Sequence, residues 1–417
     1  MDNAILSYRV ISKFLAIIMA IVVILTYSSF QLSLNTIFYL LGILYFIFFL
    51  TVDINSIRLS NRLMLSLVLI CFFSILFNDI PSYYQSEQRF AMFVCFTTLL
   101  GPLIISRNMA LFRKQLFYYL NILIIVYCTL SYVLSVTGIY DGYKILESGR
   151  VRPDFSGLFN HSMVLCPFSG ISILTCLYFY YSTKFNKTVK TILLICISLC
   201  FLSAVVAGSR SALMSTFAGI LFFFYKLYRK NIGKYMKIVF SLLTIIVLSF
   251  PLWQEGASRL VNKITASVSE EDDYDWTSSR ESLWEQRLQE FKSSPLIGIG
   301  FAAENPKFSK SWDEEYIETS GGKIEPGSSW LAVLSMTGIL GFILIVILFL
   351  KNFIFILKAQ NNRLWISYLG GILVIFTLHM FAEGYIYAFG AMMFFYLWLF
   401  LGVVELTKFE YKANLKS

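Results

Sequence analysis

Twelve long apolar runs constrain this chain more than any other feature of its sequence. They lie at 12–30, 34–52, 63–79, 91–106, 116–136, 163–182, 190–207, 211–228, 237–252, 329–350, 364–383 and 387–406. A helix of ~20 mostly apolar residues is long enough to cross a bilayer. The runs are continuous rather than alternating, which indicates helices and not the strands of a barrel. We therefore predict an all-α polytopic membrane protein with about 12 transmembrane helices.

Composition supports this class. Of the 417 residues, 57% are hydrophobic and 14% are charged, and the mean hydropathy is +0.70. Soluble domains average about 25% charged residues. These values exclude a soluble enzyme, a disordered protein and a secreted disulfide scaffold. All seven cysteines lie inside apolar runs, so we expect no disulfide in the polar loops. No cleavage site follows the first run, so we expect it to remain as a membrane helix.

The placement of basic residues predicts the topology. With the N-terminus in the cytoplasm, 21 of the 34 Lys and Arg residues fall in cytoplasmic segments, and the short external loops contain Arg89 and Arg210. The pattern predicts that both termini lie in the cytoplasm and that the chain is divided into three segments. Helices one to nine lie in 1–252, a large extracytoplasmic loop spans 253–328, and helices ten to twelve lie in 329–417. The net charge of +9 thus reflects topology and indicates no nucleic-acid partner.

The large loop indicates where the chemistry lies. Loop 253–328 is 76 residues long, and loops of this length usually have a function. Transporters of similar helix count have short external loops and place their charges near the midplane. We therefore expect an enzyme acting on the extracytoplasmic face. Nucleotide sugars are absent there, so its substrates would be activated and lipid-linked.

Arg210 is the first candidate for that chemistry. It lies in Ala207-Gly-Ser-Arg-Ser-Ala212, a short external turn close to membrane depth. An arginine at that depth costs ~2.5–3.5 kcal/mol on insertion scales, which favours a functional role. A guanidinium can bind phosphate oxygens in a bidentate way. The alternative is an arginine that reaches the interface without binding a ligand.

A helix is predicted inside the large loop. Ser278 and Glu281 form a capping box at its start, and Pro295 stands beyond its end. Four of its side chains fall at helical spacing on one face: Arg280, Trp284, Arg287 and Phe291. Two arginines about 10 Å apart suit a diphosphate. In the alternative interpretation they pair with the neighbouring glutamates Glu281, Glu285 and Glu290.

Two weaker motifs occur in the same loop. Asp273-Tyr-Asp275 has the spacing of a metal-binding D-x-D motif, but it belongs to a run of carboxylates that we interpret as a solvated segment. The Gly298-Ile-Gly300 turn is predicted to return the chain to the membrane rather than to bind phosphate.

The segment Glu325-Pro-Gly-Ser-Ser-Trp330 leads into the tenth helix. We expect the two serines to cap that helix and Trp330 to lie at the membrane interface. Partial desolvation at the membrane surface would raise the pKa of Glu325 and suit it to act as a general base. The alternative is a solvated carboxylate.

The two histidines are further candidates. His161 follows Asn160 at the outer end of the sixth helix, shortly after Arg152. His379 and Glu383 are four residues apart near the outer end of the eleventh helix, so we expect them to share a face. Neither histidine has the neighbours of a zinc site, and we predict no metal. Each is either a packing residue or a substrate contact.

The order of these motifs resembles that of the O-antigen polymerase and O-antigen ligase superfamily. The matching segments are Arg152-Pro-Asp-Phe-Ser-Gly157, Gly208-Ser-Arg210, Arg280-x-x-x-Trp284, Phe291-x-x-x-Pro295-Leu-x-Gly-x-Gly300, and Ser328-Ser-Trp-Leu with Gly338 and Gly341. The resemblance implies a bacterial inner-membrane glycosyltransferase that uses undecaprenyl-diphosphate-linked glycans at the outer face, with no cofactor. It also implies that Arg210 and Arg280 hold the donor diphosphate.

One departure from the family pattern favours a polymerase. Ligases of the family carry a His-Asn-x-x-Leu pattern before the late helix, and here that stretch reads Gly327-Ser-Ser-Trp-Leu331. Glu325 is the nearest substitute for the absent histidine. We therefore expect a polymerase of O-antigen or capsule repeat units, with Arg210, Arg280 and Glu325 as its catalytic residues.

The remaining candidates would bind substrate: Arg152, Asn160, His161, Arg287, His379 and Glu383. The expected partners are the lipid-linked donor and acceptor, the bilayer, a chain-length regulator and a flippase. A ligase acting on lipid A core, and a flippase for lipid-linked oligosaccharide, remain as alternatives.

Overall fold

The computed structural model describes residues 2–30, 34–78, 85–140, 142–145, 151–248, 276–308, 324 and 327–414. Thirteen helices lie within these ranges: α1 (Asp2–Thr26), α2 (Asn35–Val52), α3 (Arg62–Leu76), α4 (Ser86–Leu99), α5 (Arg107–Val136), α6 (Ser162–Tyr181), α7 (Lys187–Ala207), α8 (Arg210–Tyr228), α9 (Ile232–Leu248), α10 (Trp276–Ser293), α11 (Ser329–Lys358), α12 (Arg363–His379) and α13 (Met392–Asn414). Two small antiparallel pairs join β1 (Arg58–Leu59) to β2 (Ile104–Ile105) and β3 (Tyr143–Ile145) to β4 (Val151–Phe155).

The chain is a multi-pass, all-α membrane protein. Each predicted apolar run overlaps one helix, and α10 is the helix predicted in the large loop. Among the described residues, seven helices are long and apolar enough to cross a membrane: α2, α5, α6, α7, α8, α11 and α13. Shorter apolar helices lie in α1, α3 and α12. The number of twelve spans and the external position of the loop remain predictions.

Helix α13 is the centre of the bundle. Its residues from Met392 to Leu401 are each no more than 4% exposed. A helix that is apolar on every side is either surrounded by other helices or exposed to lipid, and the burial of these residues shows that α13 is surrounded by protein. The Tyr396 hydroxyl donates a 2.8 Å hydrogen bond to Asn121 Oδ1 on α5, so this polar group is paired inside the core.

Glycines bring α8 and α12 into close contact. A Cβ on Gly219 would lie 2.8 Å from the carbonyl oxygen of Gly371, and a Cβ on Gly371 would lie 2.9 Å from that of Gly219. Small residues at such crossings let two membrane helices approach backbone to backbone. The crossing fixes the height of each helix relative to the other.

The helix termini gather at two ends of the bundle. At one end, the Asp53 carboxylate after α2 accepts hydrogen bonds from the backbone N–H groups of Asn108 and Met109 in α5. Lys114 of α5 forms an ion pair with Glu410 of α13 there. We call this the basic end. The starts of α6, α8 and α11 and the finish of α12 lie at the other end, which we call the site end.

Candidate functional site

The start of α11 is attached to the connection that follows α12. The Ser329 N–H donates to the carbonyl oxygens of Met380 and Glu383 at 3.0 and 2.9 Å. The Ser329 hydroxyl donates to the Glu383 carbonyl at 2.7 Å and accepts from the Tyr385 N–H at 2.9 Å. The Ser328 hydroxyl donates to the Met380 carbonyl at 3.2 Å. The two serines thus satisfy carbonyl oxygens at the C-cap of α12 and in the connection that follows it. The prediction that their side chains cap α11 is wrong, because neither hydroxyl accepts from the α11 backbone.

Helix α10 packs against the segment that leads into α11. The Trp284 indole donates to the carbonyl oxygen of Gly327 at 3.3 Å. Gly327 has a φ of +67°, and a Cβ there would lie 3.0 Å from Leu283 Cβ. Glycine is the residue that adopts this backbone conformation at no steric cost. The loop helix therefore contacts Gly327, two residues before the start of α11.

The segment after α10 is built into a break in α11. Gly338 interrupts that helix with φ 65° and ψ −169°. The Ile299 N–H donates to the Ser335 carbonyl at 2.8 Å, and the Ile339 N–H donates to the Pro295 carbonyl at 2.9 Å. The backbone groups released by the break are thus paired with the loop, as an apolar setting requires. These backbone hydrogen bonds fix the position of α10 relative to α11.

Arg210 is the first residue of α8 and is half-buried. Within the described ranges its guanidinium makes no hydrogen bond or ion pair. The Gly219–Gly371 crossing lies nine residues after Arg210 and eight residues before His379. At a rise of about 1.5 Å per residue, both residues therefore lie about 12–14 Å beyond the crossing, at one level of the site end.

The start of α6 lies next to Arg210. The Cys166 thiol, one turn into α6, donates to the Ser209 carbonyl at 3.7 Å. His161 is the N-cap of α6, and its Nδ1 accepts from the Met163 N–H at 3.1 Å. The Oδ1 atom of Asn160 is buried and has no hydrogen-bond partner among the described residues. A buried acceptor without a partner is costly, so this atom is suited to a ligand donor.

His379 is the last residue of α12 and is fully buried. Its ring stacks on Tyr385 at 5.7 Å between centroids and 27° between planes. The helix ends at His379, and Glu383 lies in the turn that follows it. The Glu383 N–H donates to the His379 carbonyl within the turn. Burial raises the pKa of Tyr385 well above its usual value, and Glu383 raises it further.

A buried polar cluster holds the inner face of α10. Arg287 Nη1 donates to Glu290 Oε2 at 2.8 Å, and both side chains are fully buried. Glu290 Oε1 accepts from Gln286 at 3.2 Å and from the Asn305 N–H at 3.1 Å. The Nε and Nη2 atoms of Arg287 have no hydrogen-bond partner among the described residues. Two donors thus remain for an anionic group or water.

Two expectations about α10 need correction. The helix begins at Trp276, so Ser278 lies inside it and is not its N-cap. The helix face that was predicted to carry Trp284 and Arg287 lies at the boundary between the buried and exposed sides of α10, since Arg287 is 1% exposed and Trp284 is 37% exposed. The two side chains therefore do not present one surface. The alternative of pairing within the helix is correct for Arg287 and Glu290.

Three candidates cannot be placed by their side chains. Arg152 belongs to β4 and Arg280 to α10, and for both the structure describes the backbone alone. Glu325 lies outside the described residues, as does the Asp273–Asp275 motif. In the described ranges, no group of three or more His, Cys, Asp or Glu residues is arranged to hold a metal ion.

Two elements of the site were missed in the sequence. The 380–385 connection binds the start of α11, and Asn305 binds the α10 cluster. The signal for the first was Glu383-Gly-Tyr385, a polar interruption between two apolar runs. Nothing in the sequence indicated the contact between Asn305 and Glu290, because the backbone N–H of Asn305 and not its side chain donates the hydrogen bond.

These features define a multi-pass membrane protein that gathers polar side chains at one end of its helix bundle, beside a loop helix. Residues 169–346 match the sequence profile of the O-antigen ligase family. The match runs from α6 to the first half of α11 and includes Arg210, α10 and the break in α11. The match covers less than half of the chain, and it supports the resemblance to the O-antigen ligase and polymerase superfamily that the motifs indicated. No curated protein matches the chain.

Proposed function

We propose that this protein is a polysaccharide polymerase. It would join undecaprenyl-diphosphate-linked oligosaccharides on the outer face of the bacterial cytoplasmic membrane, with both of its termini in the cytoplasm. The family match supports glycan chemistry of the O-antigen ligase or polymerase type. The absence of the ligase histidine from Gly327-Ser-Ser-Trp-Leu331 favours the polymerase.

The observation that carries the proposal is the position of Arg210. Arg62, Arg107, Arg210 and Arg363 each occupy the first residue of a helix. A cation at that position meets the positive end of the helix dipole, which is unfavourable. The other three arginines lie at the basic end, which the proposed topology places in the cytoplasm, and the positive-inside rule accounts for them there. Arg210 lies at the site end, where a bound anion would compensate both its charge and the dipole.

The proposed reaction is a direct glycosyl transfer. A hydroxyl of one lipid-linked repeat attacks the anomeric carbon of the chain on a second carrier, and the bond from that carbon to the diphosphate oxygen breaks. Arg210 and Arg280 neutralise the departing diphosphate, and the free donors of Arg287 assist. Glu325 takes the proton from the attacking hydroxyl. The reaction uses neither a metal nor a nucleotide.

The other candidates would line the glycan. The buried Oδ1 of Asn160 suits a sugar hydroxyl as its donor. Arg152 and His161 would lie beside it at the start of α6. His379 and Glu383 would contact the glycan from the end of α12. The proposed partners also include a chain-length regulator and a flippase.

A deletion strain tests the proposed function. Surface glycan is extracted from the deletion strain and from the strain complemented with the wild-type chain, and its length is resolved on a gel. A polymerase predicts a single repeat still attached in place of a ladder of lengths. Loss of all surface glycan would contradict the polymerase and support a ligase transferring to lipid A core, or a flippase. The flippase is disfavoured by the 76-residue loop.

A further inference from the structure

A cavity of about 450 Å³ opens at the basic end of the bundle, away from the proposed glycosyl-transfer site. It lies between α5, α6, α12 and α13. Its floor is polar and internally paired: Thr175 Oγ1 donates to Asn121 Oδ1 at 3.2 Å and lies 3.0 Å from the Tyr368 hydroxyl. The floor is therefore preorganised and fixed by three helices.

Aromatic rings form most of the wall. The ring of Tyr178 stacks on Tyr368 at 5.0 Å and meets Trp365 edge-on at 5.5 Å. Phe117 and Phe179 complete the wall. Tyrosine and tryptophan favour the boundary between headgroups and hydrocarbon, where one part of the ring is apolar and another part polar. This wall suits a ligand at the membrane boundary better than a fully solvated one.

The mouth of the cavity is positively charged. Lys114, Lys184 and Glu410 line it. Lys114 and Glu410 pair with each other. Lys184 is exposed and forms no ion pair with any described residue. The mouth thus has one uncompensated cation, which attracts an anionic group.

An apolar stripe leads away from the mouth along α5. Tyr118 lines the cavity and is 47% exposed, and Val126 and Leu130 are 42% and 41% exposed. They are spaced by multiples of four residues, so they follow one slowly turning side of the helix. Such a stripe next to the cavity is suited to an acyl chain.

We propose that this cavity binds a membrane phospholipid. The phosphate headgroup enters the mouth and contacts Lys184, the glycerol lies against the ring wall, and an acyl chain follows the stripe on α5. Basic pockets between membrane helices bind lipid headgroups in this way. The site is independent of the proposed glycosyl transfer, because it lies at the other end of the bundle.

Native mass spectrometry of the full chain in detergent tests the site. The chain is titrated with a short-chain phosphatidylglycerol and, separately, with glycerol 3-phosphate. Lys184→Glu is compared with Lys187→Glu, which changes an exposed lysine of α7 that does not line the cavity. Both positions are exposed, so both variants are expected to fold.

We expect saturable binding of one lipid, about tenfold weaker in Lys184→Glu because a charge-assisted contact is lost. Lys187→Glu is expected to retain the wild-type affinity, and glycerol 3-phosphate to bind at least ~tenfold more weakly because it buries no acyl chain. Equal affinities of the two variants would overturn the site. Glycerol 3-phosphate binding as tightly as the lipid would overturn the lipid assignment in favour of a soluble phosphate ester.

Discussion

The guanidinium of Arg287 and the carboxylate of Glu290 form an ion pair of 2.8 Å with no exposed surface on either side chain. Removing one partner of a buried pair leaves an uncompensated charge, which typically costs about 3–5 kcal/mol. Glu290 also holds Gln286 and the Asn305 N–H. The pair therefore fixes α10 on the segment that follows it.

The first prediction concerns this pair. Glu290→Ala should destabilise the protein by about 3–5 kcal/mol. Glu285→Ala on the exposed side of α10 is the matched control and should change stability by less than ~0.5 kcal/mol. Unfolding can be followed with a thiol-reactive dye, because six of the seven cysteines are buried and one is half-buried. Equal unfolding temperatures for the two variants would refute the role of the pair.

The second prediction concerns the break in α11. A Cβ at Gly338 would lie 2.3 Å from the carbonyl carbon of Leu296, and the residue has a φ of +65°. Gly338→Ala should therefore prevent the loop from packing into α11 and strongly destabilise the protein. Gly138 has a φ of +70° but nothing within 4 Å of a Cβ.

Gly138→Ala thus carries the backbone strain without the steric clash and should cost about 1–2 kcal/mol. The measurement is the thiol-dye unfolding temperature of both variants in one detergent. If Gly138→Ala lowered it as much as Gly338→Ala, strain and not the contact with the loop would explain the effect.

The third prediction concerns Ser329. Ser329→Ala removes the hydroxyl that donates to the Glu383 carbonyl and accepts from the Tyr385 N–H. An unsatisfied buried N–H costs about 1–3 kcal/mol, so stability should fall by this amount. Because these bonds fix the 380–385 connection at the site end, glycan chain length should also decrease. Ser241→Ala is the control, since that exposed hydroxyl bonds only within its own helix. A normal ladder together with unchanged stability would exclude the proposed role of Ser329.

The sequence predicted the helices well and the termini less well. Continuous apolar runs predicted where helices form, and each run overlaps a helix. Helix α10 already includes Ser278, and α12 ends at His379 rather than at residue 383, so both termini differ from the prediction. The capping box did not set the start of α10, and the turn after His379 is held by Ser329.

The residues of the candidate site remain a prediction, and the pairing of those that the structure describes did not follow from the sequence. Arg210 stood out because a lone arginine interrupts two apolar runs, and its place at the start of α8 agrees with that pattern. Helical spacing showed that Arg287 and Trp284 were neighbours on α10. It did not show which side of the helix faces the bundle. Burial of that side depends on the segment 295–305, which lies outside α10 and is not described by the spacing of residues within the helix.

The role of Arg210 is the central claim, and glycan chain length tests it most directly. Arg210→Ala is expressed in the deletion strain beside Arg62→Ala, which changes the first residue of another helix at the basic end. With both proteins at the wild-type level in the membrane, Arg210→Ala should yield single-repeat glycan and Arg62→Ala a full ladder. Arg210→Lys should fall between them, since lysine keeps the charge but loses the bidentate geometry. A full ladder from Arg210→Ala would contradict the account.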